Sequence, residues 1–310
     1  MRETSLPSPQ EISKLFGSKN SVSGPLHLAA TWALILLTIL GTAYFRSWAL
    51  FPIAALLLVG LQHRLFTLYH EAIHGCLTRN AKVGDILARF FAAYPSLTRY
   101  DGVRQRHIDH HLRAASREDP ERVSHCENWR QLAPLMYPIP YALCRLVFGW
   151  APYDAEFQRM MAERDNTPYP FAPGERTMIS ATMAAIPVIL ALLCWRIGGN
   201  PLAALLYPAT LILVTNPVMV LRQWVEHYNF DRHDADPRYF YVRSNPVERF
   251  FFAPMHFNFH GAHHFYPWIP QYNLPVLHAY LRDRGVEIHE RSSYTGVIGQ
   301  LLIRPAQAAA

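Results

Sequence analysis

Four stretches of the chain stand out as predominantly apolar: about 25–44, 48–66, 178–195 and 201–221. A helix needs about 20 mostly apolar residues to cross the hydrocarbon core of a bilayer. The pattern therefore predicts four transmembrane helices. The second apolar core is short by itself, but Leu65, Phe66 and Leu68 carry its greasy face past Arg64, and the helix is expected to run on through "HRLFTLYHEAIH". Only "FRS" follows the first span, and only "RIGGN" precedes the fourth. Links this short make two hairpins. Two hairpins return the chain to its starting side, so the N-terminus, the 63–177 segment and everything after 221 share one side. Residues 1–24 read as a polar arm, 25–290 as one membrane domain and 291–310 as a tail.

One further stretch, "LAPLMYPIPYALCRLVFGW" at 132–150, is nearly long enough to span. It holds three prolines and Arg145, and is expected to lie in the membrane interface instead. If it crossed, the histidine clusters before and after it would face opposite sides.

Charge adds a direction. Near the span ends the shared side carries Lys14, Lys19, Arg64, Arg79, Arg164, Arg176, Arg222, Arg232 and Arg238; the other side has Arg46 and Arg196. Positive residues stay in the cytoplasm, which predicts a multi-pass protein with both termini and its large segments on the cytoplasmic side. Composition agrees: 17% of residues are charged, against about 25% in soluble domains. The net charge of +6 does not call for nucleic acid; it suits anionic lipid or an acidic electron donor. The four cysteines form no C-x-x-C pair, and the N-terminal residues lack the apolar core of a cleavable signal.

The candidate chemistry is histidine. His70 and His74 stand at i and i+4 in "HEAIH"; His107, His110 and His111 at i, i+3 and i+4 in "HIDHH"; and His260, His263 and His264 repeat that pattern in "HGAHH". On a helix each set falls on one face. Eight imidazoles are too many for one metal, and two ions with about four ligands each would use them. Imidazole suits iron, copper, nickel and zinc, so spacing alone does not name the metal. His227, just past the fourth span in "RQWVEHYNF", is expected as a ninth ligand. Glu71, Asp109 and Asp119 lie in or beside the boxes, where a carboxylate could accept the free N–H of a ligating ring. His256, four residues before His260, is grouped with these supporting residues and could ligate only if helix continues there. His63 is expected to be interfacial or cavity-lining, and His27, His125, His233, His278 and His289 to have no role.

These residues resemble the membrane fatty acid desaturases, within the integral-membrane histidine-box di-iron enzymes. "HEAIH", "HIDHH" with its trailing "EDP", and "HGAHHFYPWIPQYNLP" are similar to the family's three boxes, over about residues 50–280. The resemblance implies an all-α membrane protein: four transmembrane helices in two hairpins under a helical cytosolic cap carrying the boxes. It implies two iron ions, O2 as co-substrate and a lipid or acyl substrate that loses two hydrogens. It also implies a separate electron donor such as ferredoxin, rubredoxin or cytochrome b5 with its reductase. It supports His227, since family members place a metal-ligating histidine after the fourth span. There is no His-Pro-Gly-Gly motif, so no fused cytochrome b5 is expected, and His256 stands where related sequences often have asparagine. A hydroxylase, ketolase or decarboxylase on the same scaffold shares the boxes. A non-catalytic metal binder or transporter fits less well, because transport sites put polar ligands within the spans and these spans are almost free of ionisable residues.

Overall fold

The structure, a computed structural model, describes residues 6–114, 116, 118–121, 123, 126–162, 169–227 and 240–303. In chain order the first helices are α1 (Pro9–Phe16), α2 (Ser23–Phe45), α3 (Leu50–Ile73), α4 (Ala81–Ala88), α5 (Tyr100–Arg113), α6 (Trp129–Met136) and α7 (Pro138–Phe148). They are followed by α8 (Asp154–Ala162), α9 (Glu175–Arg196), α10 (Leu206–Thr210), α11 (Asn216–His227), α12 (Pro246–Phe251), α13 (His260–Phe265), α14 (Leu274–Asp283) and α15 (Tyr294–Ile303). The all-helical expectation needs one amendment: strands β1 (Phe240–Val242) and β2 (His289–Arg291) pair in parallel, with Phe240 opposite His289 and Val242 opposite Arg291. Arg164, Arg232, Arg238, His125 and His233, and the extreme ends of the polar arm and the tail, lie outside the described residues.

Four helical segments are long and apolar enough to cross a membrane: Ser23–Phe45, Leu50–Ile73, Glu175–Arg196 and Pro201–His227. They match the four expected spans, and the second and fourth run on to carry histidines. The chain divides into two compact units. The first, Ser18–Gln105 with Tyr169–Thr215, is the span unit. The second, Met1–Gly17 with Arg106–Pro168 and Asn216–Ala310, is the histidine-rich unit.

In the span unit the link after α2 meets the link after α9. The Asn200 amide donates to the Ala43 carbonyl at 2.9 Å, and the Arg46 guanidinium donates to the Gly198 carbonyl. A β-carbon at Gly199 would sit 2.8 Å from the Ala43 carbonyl carbon, so only glycine allows this approach. Leu37, Leu57, Val188 and Leu192 are exposed, as lipid-facing side chains are. Hydrocarbon offers no water to a buried polar group, and one side chain inside the unit shows how the chain supplies partners itself. Buried Gln62 donates to the Tyr207 carbonyl at 2.8 Å and accepts from Thr215 at 2.6 Å and Thr210 at 3.2 Å. This clasp sits at a π-helical turn, Leu211–Thr215, whose wider winding displaces backbone groups from α-helical pairing.

In the histidine-rich unit the 132–150 segment forms two helices, not one. Tyr137 precedes Pro138, and a residue before proline is pushed out of the α region; Tyr137 has φ −125° and ψ 59°. Asn216 caps the break, donating to the carbonyls of Leu135 (3.0 Å) and Met136 (2.6 Å). At 8 and 11 residues the pieces reach only about 12 and 16 Å, too short to span. α7 leaves Leu143, Leu146, Val147 and Phe148 exposed. The polar arm also carries an apolar anchor. Ile12 of α1 is fully buried in a cluster with Ala262, Tyr266, Ile269, Leu274, Leu277 and Leu281. Hydrogen bonds from Tyr266 to the Pro7 carbonyl (2.7 Å) and from Asn273 to the Phe16 carbonyl (2.7 Å) bracket it.

Candidate metal centre

Both H-x-x-H-H motifs are helical, on α5 and on α13, so each presents its histidines on one face. α11 ends on His227. In the histidine-rich unit these three helices bring seven imidazoles together. His111 Nε2 lies 3.0 Å from His107 Nε2 and 3.1 Å from His263 Nε2. His260 Nε2 lies 3.0 Å from His227 Nε2 and 2.9 Å from His264 Nε2. His110, His227 and His264 likewise offer ligand atoms within 4.8 Å of one another. Two groups result: His107, His111 and His263; and His110, His227, His260 and His264.

Hydrogen bonding does not account for this geometry. An imidazole nitrogen carries either one lone pair or one hydrogen in the ring plane, so it serves one neighbour well. His111 Nε2 and His260 Nε2 each face two. The buried His110 Nε2 has no hydrogen-bond partner among the described residues. A cation shared by converging lone pairs satisfies all of them. Nitrogens bound to one ion at about 2.0–2.1 Å lie roughly 3.0–3.4 Å apart, close to the separations here.

The electrostatics agree. Burial lowers the His107 imidazole below its ordinary value, with Glu121 opposing part of the effect. Burial, together with neighbouring imidazoles and Arg222, pushes His260 and His263 well below theirs; burial and neighbouring imidazoles do the same for His264. These rings are neutral near pH 7, the form that binds metal.

Carboxylates stand behind three of the rings. His110 Nδ1 is 2.7 Å from Asp119 Oδ1, both buried. His107 Nδ1 is 3.8 Å from Glu121 Oε1. Burial alone would raise the Glu121 carboxyl, but Arg106 at 3.6 Å and the nearby His107 ring hold it below the usual carboxylate range. His260 Nδ1 is 3.6 Å from Glu226 Oε2. A carboxylate hydrogen-bonded to the far nitrogen turns the other toward the metal and fixes the tautomer; Asp119 stands at that distance from His110, while Glu121 and Glu226 lie just beyond it.

The first box lies in the span unit. His70 is in the last turn of α3 and His74 caps it, with ring centroids 4.8 Å apart; Gly75, at φ 65°, ends the helix. Glu71 is buried on the same turn, and its backbone carbonyl accepts from the Cys76 amide at 2.7 Å. His63 is fully buried on α3. Asp109 is half-buried and belongs to none of the metal-sized groups among the described residues. His256 is a correction. Met255 and His256 have φ of 59° and 66°, so helix does not continue back from α13, and His256 is exposed.

Sequence reasoning missed Glu121, Glu226, Arg222 and Tyr294. Glu121 follows Asp119 by two residues, and Glu226 directly precedes His227 with Arg222 one turn earlier, so those three carried a local signal. Tyr294 carried none, because its hydrogen bond to Glu226 joins residues 68 positions apart.

The model of the family described as "Fatty acid desaturase" matches residues 46–293. The chain is also similar to dihydrorhizobitoxine desaturase of Bradyrhizobium elkanii, 34% identical over 103 residues. That match covers 33% of this chain and 28% of the relative, so the chain spans under a third of that protein in the aligned part.

Proposed function

Because the chain belongs to the fatty acid desaturase family, we propose that it is a membrane-bound, O2-dependent, non-haem di-iron desaturase that introduces a double bond into an acyl chain. The observation that carries this reading is the convergence of imidazole Nε2 atoms at 2.9–3.1 Å in two groups, outside hydrogen-bonding logic. The ligand set we assign is His70, His74, His107, His110, His111, His227, His260, His263 and His264, the first box entering on the family's motif pattern. When bound, the irons supply the O2 chemistry that removes hydrogen from an unactivated C–H bond. The chain's own residues then do the rest. Imidazoles bind, and the carboxylates of Asp119, Glu121 and Glu226 sit at the far nitrogens of three of them. The apolar helices admit a hydrocarbon chain and exclude water. Electrons come from a separate donor such as ferredoxin, rubredoxin or cytochrome b5 with its reductase.

The hairpin arrangement, with the boxes and both termini in the cytoplasm under a helical cap, belongs to this proposal. Its supports are the short links, which touch each other in the span unit, and the arginine bias. Desaturation is preferred to oxygenation because the named relative is a desaturase. The test is expression in a host of known lipid content, followed by untargeted mass spectrometry. A product two hydrogens lighter, absent with His107→Ala, is expected. A product heavier by one oxygen would overturn desaturation in favour of hydroxylation, and persistence with His107→Ala would overturn the ligand assignment.

A further inference from the structure

Glu226 is the most completely buried carboxylate near the centre, with no exposed surface. Three groups surround it. Arg222, one turn earlier on α11, places Nε 2.9 Å from Oε1 and Nη2 2.5 Å from Oε2. The Tyr294 hydroxyl, at the start of α15, donates to Oε1 at 2.7 Å. His260 Nδ1 is 3.6 Å from Oε2, while His260 Nε2 faces His227 and His264. The two nitrogens of one ring thus look in different directions, one at the carboxylate and one at the imidazole cluster.

Resting on the metal-centre reading above, we propose that Glu226 is a positioning residue that orients His260, and that Tyr294 and Arg222 hold Glu226 for that task. Glu226 also belongs to a metal-sized group with His227 and His260, so direct ligation is the competing role. Its oxygens argue against it. Oε1 accepts hydrogen bonds from both the guanidinium and the phenol, and Oε2 is paired with the guanidinium charge at 2.5 Å, so an ion would have to displace that charge to bind. A cationic Arg222 beside a carboxylate also opposes close approach of a second cation to it. The consequence is a long-range one: the C-terminal segment is part of the metal centre's support. Tyr294 is fully buried and its ring stacks on Phe252 at 5.3 Å. The Arg291 guanidinium lies 3.8 Å over Phe240 and donates to the Val225 carbonyl, next to Glu226 in the chain. Residues 291 and 294 therefore brace α11 just before it delivers His227.

The test uses full-length protein in detergent, stripped of metal and titrated with Co(II), with ligand-field absorption and a competing chelator as readouts. Wild type is expected to take two ions per chain; failure at this step overturns the metal-centre reading and not merely the role of Glu226. Glu226→Gln keeps the shape but offers His260 Nδ1 an amide. It should still take two ions, with one bound about 10–100-fold more weakly and with a shifted ligand-field band. Tyr294→Phe removes one hydroxyl that touches no ligand, and should give the same band shift with a smaller loss of affinity. Wild-type affinity and spectrum in Tyr294→Phe would overturn the proposed chain from Tyr294 to His260, even where Glu226→Gln fails to fold. Outright loss of one ion in a folded Glu226→Gln protein would overturn positioning in favour of direct ligation.

Discussion

The chain uses the pattern H-x-x-H-H twice, and the two copies are supported in opposite ways. The copy on α5, His107–His111, sits at the end of a 14-residue helix. Its carboxylates, Asp119 and Glu121, come from the segment directly after it. The copy on α13, His260–His264, sits on a six-residue helix entered through two left-handed residues. A helix that short is not stable alone. It is held by distant parts of the chain: Glu226 behind His260, and α1 beneath Ala262 and Tyr266. One motif is self-supporting over a dozen residues; the other borrows its rigidity from both ends of the sequence.

Removing ligands from either copy should erase this contrast. His110→Ala and His263→Ala should each cost more turnover than the 10–100-fold typical of supporting residues, with loss of bound iron measured by metal analysis. Retained iron and near-normal turnover in either would remove that residue from the ligand set.

The contrast sharpens with the local carboxylates. Asp119→Asn should weaken metal binding about 10–100-fold. Glu121→Gln should cost less, because its oxygen stands 3.8 Å from His107 where Asp119 stands 2.7 Å from His110. A chelator competition series ranks them, and the reverse order would sink the distance argument.

The distant support can be removed without touching a histidine. Ile12→Ala should cost about 2–5 kcal/mol, the usual range for a large-to-small change in a closed core. Hydrogen exchange should then rise over residues 260–281 while 107–111 stays protected. Equal exchange in both copies would show that they are not supported separately.

Acidification should reveal the buried rings of the α13 copy. The folded-state values of His260, His263 and His264 lie well below 6.5, so below that pH the unfolded chain binds more protons than the folded one. Stability of the metal-free protein should therefore fall as pH drops through about 6.5 and keep falling until the folded-state values are reached. Melting at pH 7.5 against pH 5.5 checks the sign; a higher melting temperature at pH 5.5 contradicts it. The smallest effect is expected from Ser8→Ala, which deletes the cap on the Glu11 amide of α1 and should cost about 1 kcal/mol. A melting curve unchanged within error would mean that this cap contributes nothing to holding α1.

What the sequence determined by itself was whatever is local or periodic. Uniform apolar runs placed the four long helices within a few residues, because hydrocarbon burial depends on composition over a helix length. The i, i+3, i+4 spacing put His107, His110 and His111 on one face, because helix geometry is the same wherever it occurs. Asp119 was legible because it lies nine residues from the ring that it supports. What only the tertiary structure decided was every pairing across the chain: Tyr294 with Glu226, Ile12 with the core under α13, and the break at Tyr137 sealed by Asn216. His256 shows the same limit from the other side. Its spacing left ligation open only if helix ran on, and the left-handed backbone at Met255 and His256 breaks that helix. Contacts between residues far apart in sequence carry no period and no composition; they exist only once folding has brought the surfaces together.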